Sequence, residues 1–146
     1  MAETSSINDK EYDLLKKIVN NTAFVSQVVS SGSVLAKTAA VTNVTNFTVG
    51  SSDGLFSIYA NVNCTRYVSG NFSISVIYTN ESGSVSTVAI QGHFTSGYTT
   101  TISGVGSFEG QPITIRAKAG TNIAIKTSGT FTNLTYSAYG AIIQIA

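Results

Sequence analysis

The chain has 146 residues and a formal net charge of +1, with 10% charged and 42% hydrophobic residues. Soluble domains usually carry about 25% charged residues, so Ser, Thr, Asn and Gly here replace Lys and Glu, and the resulting surface is neutral and hydroxyl-rich. That balance argues against a polyanion-binding footprint and so against a nucleic-acid partner. No apolar run approaches the ~20 residues that cross a bilayer, so no membrane partner is expected.

The first residues, Met-Ala-Glu-Thr-Ser-Ser, lack the basic and apolar regions of a signal peptide. Synthesis in a cytoplasm without secretion is therefore expected, with the seven Asn-x-Ser/Thr sequons left unglycosylated. A helix is predicted next. Asn8 is placed to cap it and Glu11 to return the hydrogen bond, while Ile7 and Tyr12 have hydrophobic-staple spacing. Asp9, Glu11 and Asp13 lie near the positive end and Lys16 and Lys17 near the negative end, as the helix dipole prefers. Ile7, Tyr12, Leu15, Ile18 and Val19 are the residues expected to make its apolar contacts. At about three turns such a helix is too short to persist alone in water, so it must pack on its own copies or on a partner. The expected organisation is a helical anchor over residues 1–22, a linker or edge strand over 23–37, and a β-sandwich over 38–146.

Period-2 alternation dominates the rest. After a strand around 41–49, Phe56, Ile58, Ala60, Val62 and Cys64 share one face, and Ser57, Tyr59, Asn61, Asn63 and Thr65 the other. Phe72, Ile74, Val76 and Tyr78 repeat the pattern, followed by Val88 and Ile90 and then by Tyr98, Thr100 and Ile102. Residues 104–110 read as a glycine-rich break. Ile113, Ile115 and Ala117 come next, then Ile123 and Ile125 after an Ala119-Gly120 turn, and finally Leu134, Tyr136, Ala138 and Ile142. About eight short strands at this spacing predict an all-β antiparallel sandwich, jelly-roll-like, preceded by the short helix.

Reactive groups are sparse. Asp53, Glu81 and Glu109 each lie near a glycine at a predicted turn, which is a poor start for the paired carboxylates of a glycosidase. His93 is the single histidine and Cys64 the single cysteine. A triad or zinc site would rest on that one imidazole, and Cys64 reads as a buried, inert hydrophobe. Gly104-Val105-Gly106 lacks the strand-to-helix context of a phosphate loop. No catalytic residue, metal or cofactor is expected, and the chain reads as a non-enzyme. The tyrosines Tyr59, Tyr98, Tyr136 and Tyr139 read as an outward aromatic set. Tyr59, Asn61 and Tyr98 are the candidates for surface recognition of sugar or another subunit, with cross-strand packing as the plainer expectation.

The stretch NDKEYDLLKKIVNNTA at 8–23 resembles the opening of many small tailed-bacteriophage structural proteins. IRAKAGTNIAI at 115–125, followed by TSGTF at 127–131 and by Thr135-Tyr136, is similar to the closing hairpin of phage jelly-roll domains. Such domains occur in head fibres, capsid decoration proteins and tail-associated proteins. The resemblance implies a virion component assembled in the host bacterial cytoplasm, commonly a homotrimer. Its N-terminal anchor would meet the major capsid protein or another virion protein, and its β domain would face outward. Without a long fibrous repeat, a compact head-fibre or decoration protein fits better than a tail fibre. The alternative is a receptor- or glycan-binding module of a phage tail or head appendage.

Overall fold

A computed structural model of the chain describes residues 25–95 and 97–146. The predicted helix, with Ile7, Tyr12, Leu15, Ile18 and Val19, lies outside the described residues. The described part is all β. Its strands are β1 (Gln27–Lys37), β2 (Thr45–Thr48), β3 (Gly54–Arg66), β4 (Ser69–Thr79), β5 (Val85–Ala89), β6 (Gly92–Phe94), β7 (Gly97–Thr99), β8 (Gly106–Gly110), β9 (Ile113–Ala117), β10 (Asn122–Thr132) and β11 (Thr135–Gln144).

They form two antiparallel sheets. The larger runs β1-β11-β3-β8-β6-β7 with β9 also on β3, and the smaller runs β2-β10-β4-β5. The pairing is nested: β1 with β11, β2 with β10, β3 with β8 and β9, and β4 with β5. A chain doubled back on itself in this way and rolled into two facing sheets has jelly-roll connectivity. The β6–β7 hairpin is an insertion that widens the larger sheet.

Alternation decides what goes inside. Phe56, Ile58, Ala60, Val62 and Cys64 of β3 are each no more than 2% exposed. They meet Phe72, Ile74 and Val76 of β4 and Ile123 and Ile125 of β10 in one core. Each fully buried large apolar side chain contributes about 1.5–3 kcal/mol. Phe72 and Tyr136 tie the two sheets together, with ring centroids 4.7 Å apart.

Tyr136 departs from the outward aromatic set predicted above, being wholly buried. Its hydroxyl donates to Ala39 O at 2.8 Å and lies 2.6 Å from Thr127 Oγ1, which accepts the Val41 N–H at 2.9 Å. A phenol facing the core is tolerated because each polar atom around it has a partner. This network holds the β1–β2 connection against β10 and β11.

The structure also corrects residues 104–110. Gly106–Gly110 is not a break but β8, pairing with β3 and β6. The interruption falls later, at Gln111 and Pro112, where a proline without an N–H separates β8 from β9 along one edge of β3. Val88, predicted apolar-face, is 38% exposed because β5 is an edge strand.

Candidate recognition face

In an antiparallel sheet, directly paired residues send their side chains to the same side. Register therefore decides which outward residues become neighbours. Across the larger sheet it runs Ser33 to Tyr139, Tyr139 to Asn61, Asn61 to Glu109, Glu109 to His93, and His93 to Tyr98. All six side chains are exposed. The result is one straight row, perpendicular to the strands, with a tyrosine near one end and another at the far end.

Local packing shapes this row. His93 and Tyr98 meet edge to face with centroids 5.8 Å apart, a favoured aromatic geometry. Tyr59 pairs with Ala141, two residues beyond Tyr139 on the same strand face, so Tyr59 and Tyr139 are diagonal neighbours. Ala141 points outward yet is only 4% exposed, as expected beneath two flanking rings. Beside Tyr139 lies an open groove of about 350 Å³, lined among others by Ser33, Leu35, Asn63, Ser107, Glu109 and Ser137. Serines at three of these positions leave the depression, because they are short where neighbouring positions carry rings or amides.

The predicted residues Tyr59, Asn61 and Tyr98 all lie on this face. Asn61 and Tyr98 belong to the same row, three strand spacings apart, roughly 14 Å. Tyr139, Glu109, His93 and Ser33 complete it. Glu109 departs from the turn position predicted for it and stands mid-strand in β8, between Asn61 and His93. His93 is the central residue of the three-residue strand β6.

Glu109 stands apart from Asp53 and Glu81, which both lie near the C-terminal end of β9. Asp53 accepts the Ala119 N–H at 2.8 Å and so fixes the β9–β10 turn. Glu81 pairs with Arg116 at 3.6 Å, both side chains about half exposed, a geometry that contributes little to stability. Ala117, which follows Arg116, pairs with Gly54, whereas Glu109 pairs with Asn61. Seven residues of β3 separate those two levels, roughly 23 Å. Glycosidase carboxylates stand about 5–9.5 Å apart. Among the described residues no three of His, Cys, Asp and Glu cluster as a metal site.

Cys64 sits on the core side of β3 at 1% exposure, with Sγ 3.3 Å from Arg66 O. Burial pushes its thiol up from the ordinary value of 9.0, partly offset by that hydrogen bond. A thiol both shielded and kept protonated is a poor nucleophile. Native protein at neutral pH should therefore react with iodoacetamide far more slowly than urea-unfolded protein, as mass spectrometry would show. Equal rates in the two states would disprove burial of this thiol.

No family model matches the chain, and no curated protein matches it in sequence. Among solved structures there are weak likenesses in shape. The SPBc2 prophage-derived protein YomS is 12% identical over 82% of this chain and 96% of that one, with a TM-score of 0.35. The N-terminal endo-1,4-β-D-xylanase 10B of Clostridium thermocellum, complexed with xylohexaose, is 15% identical over 78% of this chain and 21% of that one, with a TM-score of 0.31. A structure of infectious bursal disease virus, Gt strain, is 12% identical over 82% of this chain and 42% of that one, with a TM-score of 0.28. One of these neighbours is thus prophage-derived and another viral, both at a distance where no residue role transfers.

Proposed function

We propose that this chain is a non-enzymatic phage virion structural protein of the capsid-decoration or head-fibre type. In this reading the N-terminal segment docks on the major capsid protein or another virion protein, and the jelly roll is displayed outward as a homotrimer. The observation that carries it is a jelly roll in which Asp53, Glu81 and Cys64 take structural roles. Asp53 holds a turn, Glu81 pairs with Arg116, and Cys64 is buried. A neutral, hydroxyl-rich exterior suits close association of copies, and multivalent attachment raises avidity without a large interface per copy.

Deleting residues 1–22, or placing Leu15→Asp and Ile18→Asp together in the full chain, should abolish particle association while the β domain keeps its circular dichroism spectrum. Quantitative mass spectrometry of purified particles reads the occupancy. Undiminished occupancy would remove the N-terminal anchor from this scheme, and a monomer by light scattering at micromolar concentration would remove the trimer. A second reading, a receptor- or glycan-binding module, is favoured by the row on the larger sheet. The two are compatible, since a displayed domain also offers a face.

A further inference from the structure

We infer that the outer face of the larger sheet binds a neutral oligosaccharide, laid across the strands along Tyr139, Asn61, Glu109, His93 and Tyr98. This rests on the second reading and gives it a site and a ligand class. Four strand spacings separate Tyr139 from Tyr98, roughly 19 Å. That length suits a chain of several sugar rings better than a monosaccharide. A pyranose presents an apolar C–H face and a rim of hydroxyls, and the row supplies both complements. Tyr139 and Tyr98 are 44% and 62% exposed and offer rigid amphipathic rings at either end. Between them an amide, a carboxylate and an imidazole present donors and acceptors to solvent.

Charge and size decide against other occupants. The row and the groove beside it hold one carboxylate and no Lys or Arg. Sulfated or phosphorylated polymers need cations to pair with and would find only Glu109. Protein interfaces bury about 800 Å² per partner and are depleted of charge at their centre, whereas the Glu109 carboxylate stands in the middle of this face. The groove of about 350 Å³ lies at the lower end of the range for small-ligand sites, about 300–1,000 Å³.

The test uses the full chain in calorimetric titrations with maltohexaose, cellohexaose and chitohexaose as neutral probes and a heparin hexasaccharide as the anionic one. At least one neutral probe should bind. Tyr98→Ala and Tyr139→Ala should each weaken it about tenfold, equivalent to about 1.4 kcal/mol, and Val68→Ala should leave it unchanged. Tyr98 lies on a three-residue edge strand, so its variant tests the site even if Tyr139→Ala folds poorly. The inference is overturned by no neutral binding at about 1 mM, where affinity amounts to only about 4 kcal/mol. Tighter heparin binding, full affinity in the double variant, or dissociation of oligomers by these substitutions would overturn it too. Row variants should keep their particle occupancy, so failure here and failure of the virion reading show up in separate measurements.

Discussion

Replacing Tyr136 with alanine should destabilise the domain by about 3–5 kcal/mol, as loss of a large buried aromatic does. Whole domains have only about 5–15 kcal/mol to lose, so this variant should lie near the edge of folding. Two losses combine. The ring contacts Phe72 across the sheets, and its removal opens a cavity between two layers that cannot both collapse onto it. The hydroxyl bridges Ala39 O and the buried Thr127 Oγ1, and its removal takes one hydrogen-bond partner from each. Tyr136→Phe separates the terms: it keeps the ring and should cost about 1–3 kcal/mol for the unmade hydrogen bonds. Urea midpoints of both variants measure the difference. If the two cost the same, the hydroxyl carries the effect and the packing argument fails.

The same residue gives a pH dependence. Burial pushes the Tyr136 phenol up from its ordinary value of 10.0, partly offset by the hydrogen bond with Thr127. A raised pKa means that the folded state keeps a proton the unfolded chain releases first. Stability from this group is therefore complete below about pH 10 and falls as pH rises toward the folded value. Cys64 acts in the same direction from about pH 9. Native protein should lose urea resistance as pH rises above about 9, and Tyr136→Phe should lose less of it.

The long strands were legible because alternation is local. In β3 and β11, inward and outward residues follow each other for ten or more positions, and one reading frame fits them all. The three-residue strands β6 and β7 are too short to show a period. β8 begins and ends in glycine, so its composition reads as a turn. Alternation with Ala138 and Ile142 points Tyr136 inward, but its hydroxyl favours an outward reading, and the partners that satisfy it inside, Ala39 and Thr127, come from distant segments. The row was legible in pieces only. Alternation put Tyr59 and Asn61 outward, but nothing local aligns Asn61 with Glu109 or His93 with Tyr98. That alignment follows from which strands pair and in what register, and long-range packing settles both.

Gly92→Ala should cut the recognition face in two while leaving the sandwich folded. Gly92 is buried where β6 pairs with β8. A Cβ there would collide with Glu109 O, and would stand 2.7 Å from Gly110 Cα and from Phe108 Cζ. Two of those contacts are backbone and the third belongs to a ring fixed in the core, so none can yield cheaply. β6 must shift away from β8 at about 1–3 kcal/mol, the usual cost of overpacking, with a melting temperature lower by several degrees. Among the described residues β7 pairs only with β6, so His93 and Tyr98 move together away from Glu109. The Tyr139 end, held by β11 and β3, stays in place. Hydrogen exchange should show amides of β6 and β7 losing protection while those of β3, β10 and β11 keep it. Oligosaccharide affinity should fall by about as much as in Tyr98→Ala, because both changes remove the same half of the row. Unchanged protection at His93 and its neighbours would mean that β6 tolerates the methyl group, and the close approach of Gly92 to β8 would then have no part in shaping the face.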